Sequence, residues 1–105
     1  MEDSHVVARQ DILRLIFATM DEINETLPAE RQLAKASETH LLGKEGKLDS
    51  LGLVNFIIVL EQHIAEELKV AITLADEKAL SRTKSPFRTV ANLTDYILEL
   101  LEETR

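Results

Sequence analysis

The feature that most constrains the fold is an apolar run in the middle of the chain. Residues 51–60 are almost entirely apolar, and no glycine or proline follows Gly52 until well past Leu68. The polar pair Asp49 and Ser50 stands directly before this run, and both residue types are common at helix starts. We therefore predict a helix that begins at Asp49 or Ser50 and ends near Leu68.

Two further apolar stripes recur at steps of three and four residues, the spacing of one helix face. The first predicts a helix from near Ser4 to Pro28, and the second a helix that Thr89 caps. The stripes consist of Leu13, Ile16, Phe17, Met20, Ile23 and Leu27, and of Val90, Leu93, Ile97, Leu100 and Leu101.

The connections between these helices differ in length. The polar residues 28–49 predict a long, structured loop with Leu41 and Leu42 as anchors, while residues 76–80 predict a short helix. Pro86 predicts a turn before the last helix. Few aromatic residues, three glycines and two prolines favour helices over a sandwich or barrel. We expect an all-α fold in one domain, residues 1–105.

Composition also limits the classes of function. A formal net charge of −7 repels phosphate backbones, so we expect no nucleic-acid partner. The chain has no cysteine, which excludes a thiolate metal site and a thiol nucleophile and is consistent with a reducing compartment. No apolar run reaches the roughly 20 residues of a membrane span, and the charged N-terminus is unlike a signal peptide. We expect a soluble, cytoplasmic monomer.

The middle helix carries two apolar stripes. Projection at about 100° per residue places Leu51, Val54 and Ile58 together on one shoulder, termed here the shoulder strip. The stripe that we expect to face the core consists of Leu53, Phe56, Ile57, Leu60, Ile64 and Leu68. Two interpretations are open: the helix is buried on two sides, or the shoulder strip is an exposed docking surface.

Ser50 also has two interpretations. Its hydroxyl can cap the helix, as serine and aspartate often do. Alternatively, Ser50 carries a phosphodiester, because unpaired N–H groups and the helix dipole favour an anion at a helix N-terminus. Local sequence alone favours the cap.

The order of motifs over residues 41–101 resembles the acyl carrier protein family, the phosphopantetheine-binding or peptidyl carrier domains. The matching stretches are "LDSLGLVNFIIVLE", "LKVAITLADE" and "FRTVANLTDYI". The resemblance implies a four-helix bundle with three long helices, one short helix and a long loop between helices one and two. It also implies that Ser50 is the attachment site of a 4′-phosphopantetheine arm taken from coenzyme A.

Such a protein is a carrier rather than an enzyme. The resemblance implies that a phosphopantetheinyl transferase attaches the arm, a ligase loads an acyl or aminoacyl group as a thioester, and an acyltransferase or synthase receives it. Asp49 would orient the arm or the transferase. The shoulder strip and Glu61 would bind partner enzymes.

Two departures from the family pattern suggest a specialised pathway, in secondary metabolism or envelope modification, rather than general fatty acid synthesis. Acidic residues are missing just after the triplet and return only at Glu61, Glu66 and Glu67. The stretch "KALSRTKSPFR" is longer and more basic than usual. Its cations are Lys78, Arg82, Lys84 and Arg88. The last three, termed here the basic segment, either contact a partner or balance charge locally.

Other constellations are weak. "GKEGK" lacks the spacing of a phosphate loop, and the three histidines lie in separate segments without a second ligand at metal spacing, so we expect no metal. We expect no intrinsic enzymatic activity. The alternative function is a helical protein-interaction module without a prosthetic group, in which Ser50 only caps the helix.

Overall fold

The computed structural model describes residues 9–41, 48–74 and 86–103, with Ser50 described by its backbone only. These ranges contain helices α1 (Arg9–Asn24), α2 (Ser50–Leu68) and α3 (Val90–Glu103) and a short 3-10 helix, Ala29–Arg31. Within them the only β-type pairing is an isolated bridge between His40 and Thr89. The described part of the chain is therefore all-helical, as predicted. The short fourth helix expected at residues 76–80 lies outside the described residues, so the four-helix bundle stays a prediction.

Helix α1 ends earlier than predicted, at Asn24 rather than at Pro28. The Asn24 side chain binds the backbone of Leu33 twice: Nδ2 donates to the carbonyl oxygen at 3.0 Å, and Oδ1 accepts from the N–H at 2.7 Å. These two bonds hold the chain in a turn in place of a further helical turn. Leu27 therefore lies outside the helix, half-buried against the core. The predicted start near Ser4 is outside the described residues.

The described first part of the loop after α1, residues 28–41, is structured, as predicted, and it closes over the start of α3. Leu41 is a buried anchor, and so is Leu33, which the sequence did not single out. The Leu41 N–H donates to the Arg88 carbonyl at 2.8 Å, and the Val90 N–H donates to the Thr39 carbonyl at 3.0 Å. Loop carbonyls thus satisfy N–H groups that a helix N-terminus leaves unpaired. Leu42, the other expected anchor, lies outside the described residues.

The core forms because α1 packs against both other helices. Phe87 and Tyr96 meet edge to face in it, with ring centroids 6.2 Å apart. The fully buried apolar side chains of the three helices are Ile12, Ile16, Met20, Phe56, Leu60, Ile64, Val90, Leu93 and Ile97. Apolar burial at about 25 cal/mol per Å² is the main stabilising contribution of such a core.

The chain leaves α2 through a left-handed residue. Lys69 has φ 57° and ψ 36°, and its N–H donates to the Ala65 carbonyl at 3.1 Å, which ends the helix. The chain then returns to the core at Leu74, which is buried. Oε2 of Glu61 accepts a hydrogen bond from the Leu74 N–H at 2.7 Å. Glu61 therefore fixes the path of the chain after α2.

Candidate functional site

Ser50 is the first residue of α2, and Asp49 is the N-cap. Asp49 has the extended backbone typical of a cap, and its Oδ1 accepts from the Gly52 N–H at 2.7 Å. Its carbonyl accepts from the Leu53 N–H at 2.9 Å. Of the two residues predicted as possible caps, Asp49 makes the cap bond.

The start of α2 lies at the protein surface. Asp49 and Leu51, which flank Ser50, are both exposed, and Leu51 is 71% exposed. The residues on both sides of Ser50 are therefore accessible to an enzyme. The N-terminal end of the helix dipole also favours a bound anion at this position.

The glycine at position 52 lets the cap close tightly over the first turn. A Cβ atom at Gly52 would lie 3.1 Å from Oδ1 of Asp49 and 3.4 Å from Cδ2 of Leu48. The first distance is short enough that the carboxylate would have to shift. Glycine therefore preserves the position of the Asp49 carboxylate beside Ser50.

The shoulder strip is exposed, so the interpretation that α2 is buried on two sides is wrong. Val54 is 49% exposed and Ile58 is 48% exposed, in addition to Leu51. These three are the exposed large apolar side chains of the described residues. The opposite stripe of α2 is buried as predicted, except that Leu68 is only half-buried. A row of apolar side chains in water beside Ser50 is typical of an interaction surface.

A depression of about 200 Å³ lies between the end of α1 and the start of α2. We term it the α1–α2 groove. Its lining consists of Ile23, Thr26, Leu27, Leu48, Asp49, Leu51, Gly52 and Asn55. The sequence did not predict this groove, because its two walls are more than 20 residues apart in the chain. The sequence singled out Ile23 and Leu27 on one wall and Asp49 and Leu51 on the other, but it did not indicate that the two walls meet.

The remaining predicted partner residues either do not line the α1–α2 groove or fall outside the described residues. Glu61 is half-buried, and its carboxylate is engaged by Leu74. Arg88 is exposed and lies just before α3, where its carbonyl accepts from the Leu41 N–H. Arg82 and Lys84 fall outside the described residues. A partner-binding role for these four side chains stays a prediction.

The described histidines belong to different parts of the fold. His63 of α2 contacts the Glu22 carboxylate of α1, and His40 is half-buried in the bridge to Thr89. Among the described residues, no three side chains of metal-ligating type come together. In the same part of the chain, every helix is too short or too polar to cross a bilayer.

The resemblance to acyl carrier proteins depends on the order of motifs in the sequence. Comparisons of the chain with family models, with curated proteins and with solved structures found no match.

Proposed function

We propose that this protein is a carrier that holds an acyl or aminoacyl group on a 4′-phosphopantetheine arm attached to Ser50. The residues around Ser50 are the main support for this proposal. Ser50 is the first residue of α2, Asp49 makes the cap bond in its place, and the exposed shoulder strip begins at the next residue, Leu51. A serine that only capped the helix would duplicate Asp49.

The residues present are compatible with the arm. The Ser50 oxygen would form a new bond to the phosphorus of the pantetheine phosphate of coenzyme A. The pyrophosphate bond would break, adenosine 3′,5′-bisphosphate would leave, and the hydroxyl proton would pass to a base of the transferase. The attached phosphodiester would lie at the positive end of the α2 dipole, which stabilises an anion by about 0.3 to 1 kcal/mol at an exposed site.

The arm would supply the thiol that this cysteine-free chain lacks, and with it the thioester that carries the cargo. The protein's own part is to present Ser50 and to bind partner enzymes. Asp49 would orient a transferase or the arm through its exposed carboxylate. The shoulder strip would bind partners, since covering apolar side chains that are exposed to water lowers the free energy of the complex.

The charge pattern on α2 supports a specialised pathway and a docking mode that is mainly apolar. At about 1.5 Å per residue, Glu66 lies about 24 Å along the helix axis from Ser50. Attraction between exposed charges is screened over about 8 Å at physiological ionic strength. Glu61 is nearer, but its carboxylate binds Leu74. The acidic residues of α2 therefore contribute little to docking close to Ser50.

The exposed shoulder strip also fits the alternative function, a helical interaction module without a prosthetic group. Such a module would bind a partner helix through Leu51, Val54 and Ile58 and would leave Ser50 unmodified. The intact mass of the protein after co-expression with a broad-specificity phosphopantetheinyl transferase separates the two functions. A carrier gains the mass of one phosphopantetheine group, while an unchanged mass contradicts the proposal.

A further inference from the structure

We infer that the α1–α2 groove holds the pantetheine part of the arm on Ser50. This inference rests on the proposed function and adds a binding surface to it. Four of the groove residues, Leu48, Asp49, Leu51 and Gly52, are the two residues on each side of Ser50 in the chain. An arm attached to Ser50 therefore starts at the rim of the groove.

The lining of the groove matches the chemistry of pantetheine. Pantetheine joins a geminal dimethyl group to two amides. Leu27 and Leu51 offer apolar surface for the dimethyl group, from opposite walls of the groove. The side-chain amide of Asn55 can both donate to and accept from an amide of the arm. Asn55 is exposed, and its side chain has no hydrogen-bond partner within the described residues.

The wall supplied by α1 is built before any ligand arrives. Nε2 of Gln32 donates to the carbonyls of Asn24 and Leu27, at 3.2 and 3.3 Å. The Thr26 hydroxyl donates to the Ile23 carbonyl at 2.7 Å. These bonds hold the turn that follows α1 and so fix Leu27 in position. A wall that is already ordered loses little conformational entropy when it binds a ligand.

The size of the groove indicates that it holds only part of the arm. Its volume of about 200 Å³ is below the roughly 300 to 1,000 Å³ of typical small-molecule sites. The segment next to the phosphate would lie in the groove, and the thiol end with its cargo would extend beyond it. This division keeps the thioester accessible to partner enzymes.

The test compares apo and arm-bearing protein by NMR. The ¹⁵N-labelled chain is converted with coenzyme A and a broad-specificity transferase, and the intact mass establishes that the arm is attached. We expect the amide signals of Thr26 and Leu27 to shift on conversion, although both residues are more than 20 positions from Ser50. We also expect nuclear Overhauser contacts between the arm's dimethyl group and the Leu27 methyls.

Two exposed amides on α2 supply a matched pair of variants. Asn55→Ala removes the polar group of the groove, while Gln62→Ala removes an exposed amide outside it. Alanine is the best helix former, so both variants should fold. We expect Asn55→Ala to at least halve the shifts at Thr26 and Leu27, and Gln62→Ala to leave them unchanged.

Two outcomes would overturn the inference, and only one of them would also contradict the proposed carrier function. If the mass shows the arm but the shifts are confined to residues 49–52, the groove is not its binding surface and the carrier function stands. If the arm does not attach at all, the proposed function fails and the inference fails with it. Equal effects of the two alanine variants would also refute the role of Asn55.

Discussion

Truncation of two α2 side chains, Ile58 and Leu60, separates docking from folding. Ile58→Ala removes three carbons that are worth about 0.8 kcal/mol each when fully buried, or about 2.4 kcal/mol together. Ile58 is 48% exposed, so only about half of this value, near 1.2 kcal/mol, contributes to the fold. The higher helix propensity of alanine returns a few tenths of a kcal/mol. The expected loss of stability is therefore about 1 kcal/mol or less.

Leu60→Ala is the control from the core of the same helix. Leu60 is fully buried, and a leucine-to-alanine change at such a site costs about 2 to 5 kcal/mol because it also leaves a cavity. Urea unfolding followed by circular dichroism measures both free energies. The two variants should differ by at least about 1 kcal/mol.

Partner docking should show the opposite order. The half of Ile58 that water still reaches is what a partner would cover, and it is worth about 1.2 kcal/mol, close to a tenfold change in affinity. The loading rate at low carrier concentration should therefore fall by nearly tenfold in Ile58→Ala and much less in Leu60→Ala where that variant is folded. Equal, large losses of stability in both variants, with no specific loss of loading in Ile58→Ala, would refute the docking role of the shoulder strip.

Three further predictions concern other parts of the molecule. Glu61→Ala should destabilise the protein by about 1 kcal/mol and speed amide hydrogen exchange at Leu74, while Glu61→Gln, which keeps an acceptor oxygen, should change both far less. Unchanged stability and unchanged exchange at Leu74 in Glu61→Ala would mean that the Leu74 bond contributes nothing. Lys69→Gly should raise stability in urea by up to about 1 kcal/mol, since glycine adopts φ 57° without strain; a loss would contradict this explanation of the helix end. The loading rate with a dedicated partner should depend only modestly on salt. Neutralising the three cations of the basic segment should slow loading by that partner but not by the broad-specificity transferase. A steep salt dependence, or no effect of the triple change, would favour docking through acidic residues and a basic segment that only balances charge locally.

The features that the sequence predicted correctly are those set by local interactions. The bounds of α2 follow from its apolar run and from Asp49. The Asp49 side chain caps the helix by accepting a hydrogen bond from the N–H of Gly52, three residues later in the chain. Thr89 caps α3 in the same way, accepting from the Asn92 N–H at 3.1 Å. The exposed shoulder strip was one of two interpretations that periodicity left open. The resemblance to acyl carrier proteins favoured it, and the packing of the three helices shows that it is correct.

The features that the sequence missed depend on residues far apart in the chain. Helix α1 ends at Asn24, whose side chain binds Leu33, nine residues away, and an asparagine carries no signal of such a bond. The loop caps α3 with backbone carbonyls, which leave no side-chain signature. The α1–α2 groove needs both the early end of α1 and the start of α2. The groove could therefore be recognised only once the fold was known.

The proposed attachment of the arm to Ser50 can be tested by locating the modified residue. The purified protein and its Ser50→Ala variant are incubated with coenzyme A and a broad-specificity phosphopantetheinyl transferase, and the modified residue is located by peptide mass mapping. Ser50→Ala should stay folded because Asp49 makes the cap bond. We expect one phosphopantetheine group on the peptide that contains Ser50 and none on the variant. An unmodified natural chain, or a variant that still gains the group, would contradict it.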